Sequence, residues 1–238
     1  SKALRQKRIM LAISVVFALM VISLLTLAIG SIVQGTDANQ GNNTPISGGD
    51  IEWNEITVSA KDTQSGALVL VNGTVKYENT EKVDHLDAIV PYMHKMHPKT
   101  RPYQSTGVSE YMAADALVAM DKMLTAFVDQ TGESKIAIHW AYRSAEDQET
   151  YGSSPVGYSD HHTGMGVQLG YIRDGNSYAL STDPVYNWLF ENCHKYGFVI
   201  RYPEPKSDIT GVDDYTDYFR YVGVAHATYM TEPDLCLE

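Results

Sequence analysis

Apolar and polar positions change rhythm several times along this chain, and each change marks a predicted element. From Ile9 to Gly30 the pattern is solid rather than periodic: "IMLAISVVFALMVISLLTLAIG" holds no charged residue and is long enough to cross a hydrocarbon core of about 30 Å as a helix. Residues 31–50, "SIVQGTDANQGNNTPISGGD", lose the apolar pattern and are rich in Gly, Asn, Ser and Thr, which predicts a flexible stalk. In "ALVLVNGTVKY", residues 67–77, β-branched residues flank Asn72-Gly73, which predicts two short strands around a hairpin turn. Between Ser109 and Gln130, the residues Met112, Leu117, Met120, Leu124, Phe127 and Val128 fall at helical spacing with Gly132 beyond them, the mark of an amphipathic helix and its stop.

Further along, "KIAIHWAYRS" alternates like a strand, and Ser144 followed by Asp147 supplies a capping box for a short helix through Tyr151. Asp183-Pro184 opens another helix that Gly197 closes, since a carboxylate cap and a first-turn proline both suit a helix start. "FVIRYP" (198–203) reads as a strand, and "RYVGVAHATYM" (220–230) as a strand end leading into a last helix. Strands and helices alternate without the even rhythm of a parallel sheet. The predicted class is therefore α+β, with a small, mostly antiparallel sheet flanked by helices and preceded by one transmembrane helix. The expected boundaries are a basic cytoplasmic tail (1–8), a signal anchor (9–30), a stalk (31–50) and an extracytoplasmic domain (51–238).

Charge sharpens this layout. Lys2, Arg5, Lys7 and Arg8 precede the apolar run, and the positive-inside rule then holds the N-terminus in the cytoplasm and places the rest of the chain outside a single-pass membrane anchor. The alternative is a cleaved signal peptide with "AIG" at 28–30 as its cleavage site. The apolar run exceeds the usual signal-peptide core of about 7–15 residues, which favours the uncleaved anchor. Beyond Arg8 remain 14 basic against 29 acidic residues, a balance of −15 within a chain of net −11. Such a domain repels nucleic acid and other polyanions, and favours a small or zwitterionic ligand held by specific contacts. The two cysteines, Cys193 and Cys236, could pair or remain free thiols, and two thiols make no framework.

Candidate chemistry gathers in four blocks: "AYRSAEDQ" (141–148), "GYSDHHTGMGVQL" (157–169), "KYGFVIRYP" (195–203) and "TGVDDYTDYFRYVGVAHA" (210–227). In this order they resemble the VanY-type D-alanyl-D-alanine carboxypeptidases of the LAS superfamily, bacterial zinc enzymes that trim peptidoglycan stem peptides. The resemblance implies a LAS/hedgehog-like carboxypeptidase fold. Its first metal block reads S-x-H-x-x-G-x-x-x-D; Ser159, His161 and Gly164 match, and Gln168 stands at the aspartate position. Its second reads E-x-W-H-x-R-Y-V-G; Tyr215 stands at the general-base glutamate, Asp217 at the tryptophan and Tyr218 at the histidine. Gln168, Tyr215 and Tyr218 are thus degenerate positions, and one family zinc ligand, His161, is left.

A catalytic zinc takes three protein ligands with nitrogen, thiolate or carboxylate donors and keeps one position for water. A neutral amide and a phenol with an ordinary pKa near ~10 do not meet that demand, and the phenol cannot serve as a base near neutral pH. No metal site and no cofactor are expected. His162, Asp160, His139, Asp217 and His226 could rebuild a site, but each also reads as a solvated or structural group, and His161 and His162, as neighbours on a strand, would point to opposite faces. A nucleophile pair of Ser159 and His161 lacks an orienting acid.

What the resemblance leaves intact is the binding part. Arg143 matches the family arginine that grips the terminal carboxylate of the substrate, while Gln148 and Ser159 match other polar positions of that pocket. Arg143, Gln148, Ser159 and His161 are therefore the expected substrate-binding residues; an ion pair from Arg143 to Glu146 or Asp147 is the structural alternative. Tyr142, Tyr158, Tyr215, Tyr218 and Tyr221 are expected around the cleft, with Tyr221 also suited to the core. The expected function is a non-catalytic, membrane-anchored pseudopeptidase that binds peptidoglycan peptide or an extracytoplasmic protein partner. The alternative is an active zinc carboxypeptidase with unusual ligands.

Overall fold

The computed structural model of the chain describes residues 65–80, 86–107, 111–213, 215–231 and 234–238. The predicted anchor and stalk lie outside the described residues. No helix among the described residues is long and apolar enough to cross a membrane.

In chain order the elements are strand β1 (Leu86–Ala88), helix α1 (Ile89–Met96), strands β2 (Gln104–Ser105) and β3 (Tyr111–Ala113), helix α2 (Ala114–Thr131), strand β4 (Ile136–Trp140) and helix α3 (Ala145–Tyr151). Strands β5 (Gly166–Arg173) and β6 (Asn176–Tyr178), helix α4 (Asn187–Asn192), strand β7 (Phe198–Tyr202), helix α5 (Ser207–Thr210), strand β8 (Tyr215–Tyr221) and helix α6 (Val224–Thr231) complete them. The main sheet runs β2-β4-β5-β8-β7, and β6 pairs with β5 beyond the end of β8. Among the described residues only the β2–β4 pair is parallel. The fold is α+β, a mostly antiparallel sheet flanked by helices.

Local chemistry explains the boundaries. The apolar stripe of α2 buries Leu117, Met120, Leu124 and Phe127 against Ile136, Ile138, Val167 and Leu169 of the sheet. Gly132 ends α2 in the left-handed conformation at φ 73°, with its N–H donating to Val128 O, which a residue without Cβ adopts at little cost. The Ser144 hydroxyl accepts from Asp147 N while the Asp147 carboxylate accepts from Ser144 N, so both halves of the capping box form. The Asp183 carboxylate accepts from Val185 N at the start of a 3-10 turn that leads into α4.

Two expectations are corrected. Residues 67–77 form no hairpin: Asn72 Oδ1 accepts from the N–H groups of Thr74 and Val75 at 2.9 and 2.8 Å, while the carbonyls of Ala67, Val69 and Val71 accept from two buried guanidiniums. An outside claim on the carbonyls replaces the strand ladder. His161 and His162 lie on a 3-10 turn, Asp160–Thr163, so the strand argument for their divergence does not hold, although their rings do take separate partners.

Candidate functional site

β5 supports the cleft. Val167 and Leu169 face the core, so the alternate positions Gly166, Gln168 and Gly170 face the other side. Gln168 pairs across the sheet with Trp140 of β4 and with Tyr218 of β8. A cleft of about 670 Å³ opens over this rung, walled by Trp140, Arg143, Tyr151, Tyr158, Tyr202 and Tyr215 and floored by Ser159, His161, Gln168 and Tyr218.

Arg143 is 7 % exposed. Its Nη1 donates to Gln148 Oε1 at 3.1 Å, its guanidinium lies 4.5 Å over the Trp140 ring, and its buried Nε has no partner among the described residues. No ion pair to Glu146 or Asp147 forms among the described residues; the Asp147 carboxylate is taken by the Ser144 cap. Burial favours the neutral form and pulls the Arg143 pKa below its ordinary value. Gln148 stands behind the cleft wall, fully buried, its Nε2 donating to Ser154 O at 2.6 Å. It therefore aims the guanidinium rather than meeting a ligand itself.

His161 donates from Nδ1 to Ala141 O at 2.6 Å, which leaves Nε2 unprotonated, buried and without a partner among the described residues. Burial, aided by the Arg143 charge, depresses its pKa to about 3. His162 turns away: Nδ1 donates to Arg143 O and Nε2 accepts from Gly157 N. The Tyr218 ring packs on Gly166, where a Cβ would fall 1.9 Å from its hydroxyl, and meets His161 edge-on at 4.8 Å. Its hydroxyl donates to Asp160 Oδ2 at 3.1 Å, and burial together with that carboxylate pushes its pKa well above the usual phenol value. Tyr215 stacks on Tyr218 at 5.5 Å, and burial raises its pKa to about 12. Tyr142 instead donates to Thr80 O, and Tyr221 packs on Phe198.

The family zinc can be tested on these atoms. His161 Nε2 has the lone pair a metal ligand needs, but the phenol at the second position is committed as a donor to Asp160 and resists ionisation, and Gln168 carries no charge. This donor set does not fit a catalytic zinc.

Sequence reasoning passed over the polar hub beneath the cleft. Asp160 accepts from Arg220 Nη1 and from Tyr218, with Arg201 Nε 3.9 Å away. Arg201 is held in turn by both Glu238 carboxylate oxygens at 2.8 and 3.0 Å. The available signal was an arginine within each of the apolar runs "FVIRY" and "YFRYV", since a charge in a buried strand requires a partner.

Comparison with known proteins shows what the chain is similar to. The family model described as VanY, D-alanyl-D-alanine carboxypeptidase, matches residues 150–224. A D-alanyl-D-alanine carboxypeptidase from Enterococcus faecalis is 30% identical over 189 residues, 74% of this chain and 66% of the relative. One from Enterococcus faecium is 27% identical over 212 residues, 86% of this chain and 67% of the relative. The chain spans about two thirds of the length of these relatives. Among solved structures, the D,D-dipeptidase VanXYg in complex with a D-Ala-D-Ala phosphinate analog superposes with a TM-score of 0.60 at 22% identity, covering 74% of this chain and 70% of that one. A D,D-pentapeptidase VanY in complex with Zn(II) superposes with a TM-score of 0.54 at 23% identity, covering 72% and 96%.

Proposed function

Because the chain belongs to the VanY-type D-alanyl-D-alanine carboxypeptidase family, we propose that it is a membrane-anchored, non-catalytic member that binds the carboxylate end of a peptidoglycan stem peptide outside the cell. One observation carries the reading: Arg143 is a buried guanidinium that faces an open cleft and has no carboxylate partner among the described residues. A peptide carboxylate supplies that missing charge as a planar two-oxygen acceptor, the geometry a guanidinium fork suits. Trp140, Tyr151 and Tyr215 then offer apolar faces to short side chains, and the free lone pair of His161 accepts one N–H of the peptide. Neither tyrosine at the reacting end can take a proton for hydrolysis, because both remain phenols.

The test is elemental analysis of full-length protein purified without chelator, joined to calorimetry with Nα,Nε-diacetyl-Lys-D-Ala-D-Ala and an assay for released D-alanine. The expected result is no stoichiometric zinc, saturable binding and no D-alanine. One equivalent of zinc, or turnover restored by zinc after chelation, would overturn the reading in favour of an active carboxypeptidase.

A further inference from the structure

A second concavity of about 620 Å³ adjoins the first and shares Trp140 and Gln168 with it. Its making lies in β4, whose pairing with β5 slips between Ile138 and Trp140. A bulge of this kind lets two consecutive side chains serve one face. The His139 ring lies on Gly170, where a Cβ would meet Cε1 at 2.3 Å, and the next residue, Trp140, sits opposite Gln168; Gly170 and Gln168 are on the same face of β5. Beyond His139 the wall carries Ser177, whose Oγ is 2.5 Å from His139 Nε2, and Asp217, the one charged residue among the described residues that line this space.

We propose that the two concavities form one bipolar peptide groove, in which Asp217, with the His139–Ser177 pair beside it, receives a free amine of the same ligand whose terminal carboxylate lies at Arg143. This inference rests on the reading of the Arg143 cleft as a carboxylate site and narrows the ligand class to short peptides that carry an ammonium upstream of their C-terminus. The chemistry is complementary at both ends. Ser177 Oγ keeps a lone pair for an ammonium whichever way its proton points, and the aspartate supplies the opposite charge. Burial lowers the His139 pKa, so the imidazole adds no positive charge at neutral pH to oppose a cation. The shared Trp140–Gln168 rung is neutral and lets one chain pass between the two ends.

The experiment is calorimetry on full-length protein with Lys-D-Ala-D-Ala and its Nα,Nε-diacetyl form. Acetylation is expected to weaken binding to the wild type about tenfold, the effect of one partly desolvated charge contact. Asp217→Asn should bring the two affinities within about twofold by weakening only the amine-bearing peptide, Ser177→Ala should narrow the gap in part, and Arg143→Ala should abolish binding of both. Equal affinities in the wild type would overturn the bipolar groove while leaving the carboxylate site standing. Binding of neither peptide would overturn both. The wild-type comparison decides the matter even if a variant does not accumulate.

Discussion

Among the described residues three arginines are buried around this cleft, and the partners of two of them set off the third. Arg220, 0 % exposed, donates to the Asp160 carboxylate and to the carbonyls of Ala67, Val69 and Tyr221. Arg201, 1 % exposed, is gripped by Glu238 and donates to Val71 O. Burial pulls the Arg201 pKa down, but Glu238 and Asp160 outweigh it and raise the net value. Arg143 is almost as buried, yet its main polar partner is the neutral amide of Gln148 and its pKa moves down. The same side chain thus serves two ends. Where carboxylates and carbonyls saturate it, it staples an irregular segment to the sheet; where they do not, it keeps donor capacity to spare between an amide and an indole.

The largest effect should come from attacking a staple. Arg220→Ala takes from the buried Asp160 its nearest cation and leaves Arg201 at 3.9 Å and the Tyr218 hydroxyl, and is expected to cost about 3 kcal/mol in denaturant unfolding, whereas Arg143→Ala should cost about 1 kcal/mol while removing peptide binding. Equal losses at both positions would erase the distinction. Next in size, the combined change Gln168→Asp, Tyr218→His and Tyr215→Glu should confer one equivalent of zinc by elemental analysis. Tyr218→His alone should lower stability by about 1–3 kcal/mol, because Asp160 loses a buried donor.

Smaller still, Gly170→Ala should displace the His139 ring and destabilise by about 1 kcal/mol, visible as an altered His139 signal in nitrogen-15 NMR while Arg143 continues to bind carboxylate. The weakest effect is on pH. The His139 pKa is lower folded than unfolded, so below about pH 6.5 the unfolded chain takes up a proton that the folded chain refuses. Stability from this ring is full above that pH and falls as pH drops toward the folded value, by less than about 1.4 kcal/mol per pH unit, and by less again because the ring is only part-buried. His139→Gln should remove that slope from a stability–pH curve.

Much of the scaffold was legible because it follows from neighbours in sequence. The α2 stripe with Gly132, the Ser144–Asp147 box and the Asp183-Pro184 start each rest on contacts within one or two turns. The failures share a cause. At Asn72-Gly73 the local hairpin signal loses to Arg201 and Arg220, which come from about 130 to 150 residues away to take the loop's carbonyls. The turn at Asp160–Thr163 is likewise decided by the hub that Asp160 must reach.

By itself the sequence determined the donor inventory: an amide and two phenols where a metal site needs charge, an acidic domain, one arginine in "YRS" and one histidine beside Ser159. Only the tertiary structure decided how those groups are spent. It commits the Tyr218 hydroxyl to Asp160, leaves His161 Nε2 and Arg143 with capacity to spare, and sets a second polar space against the first across Trp140 and Gln168. The physical reason is that residue type fixes what an atom can donate or accept, while burial and the arrival of distant partners fix whether that capacity is already used.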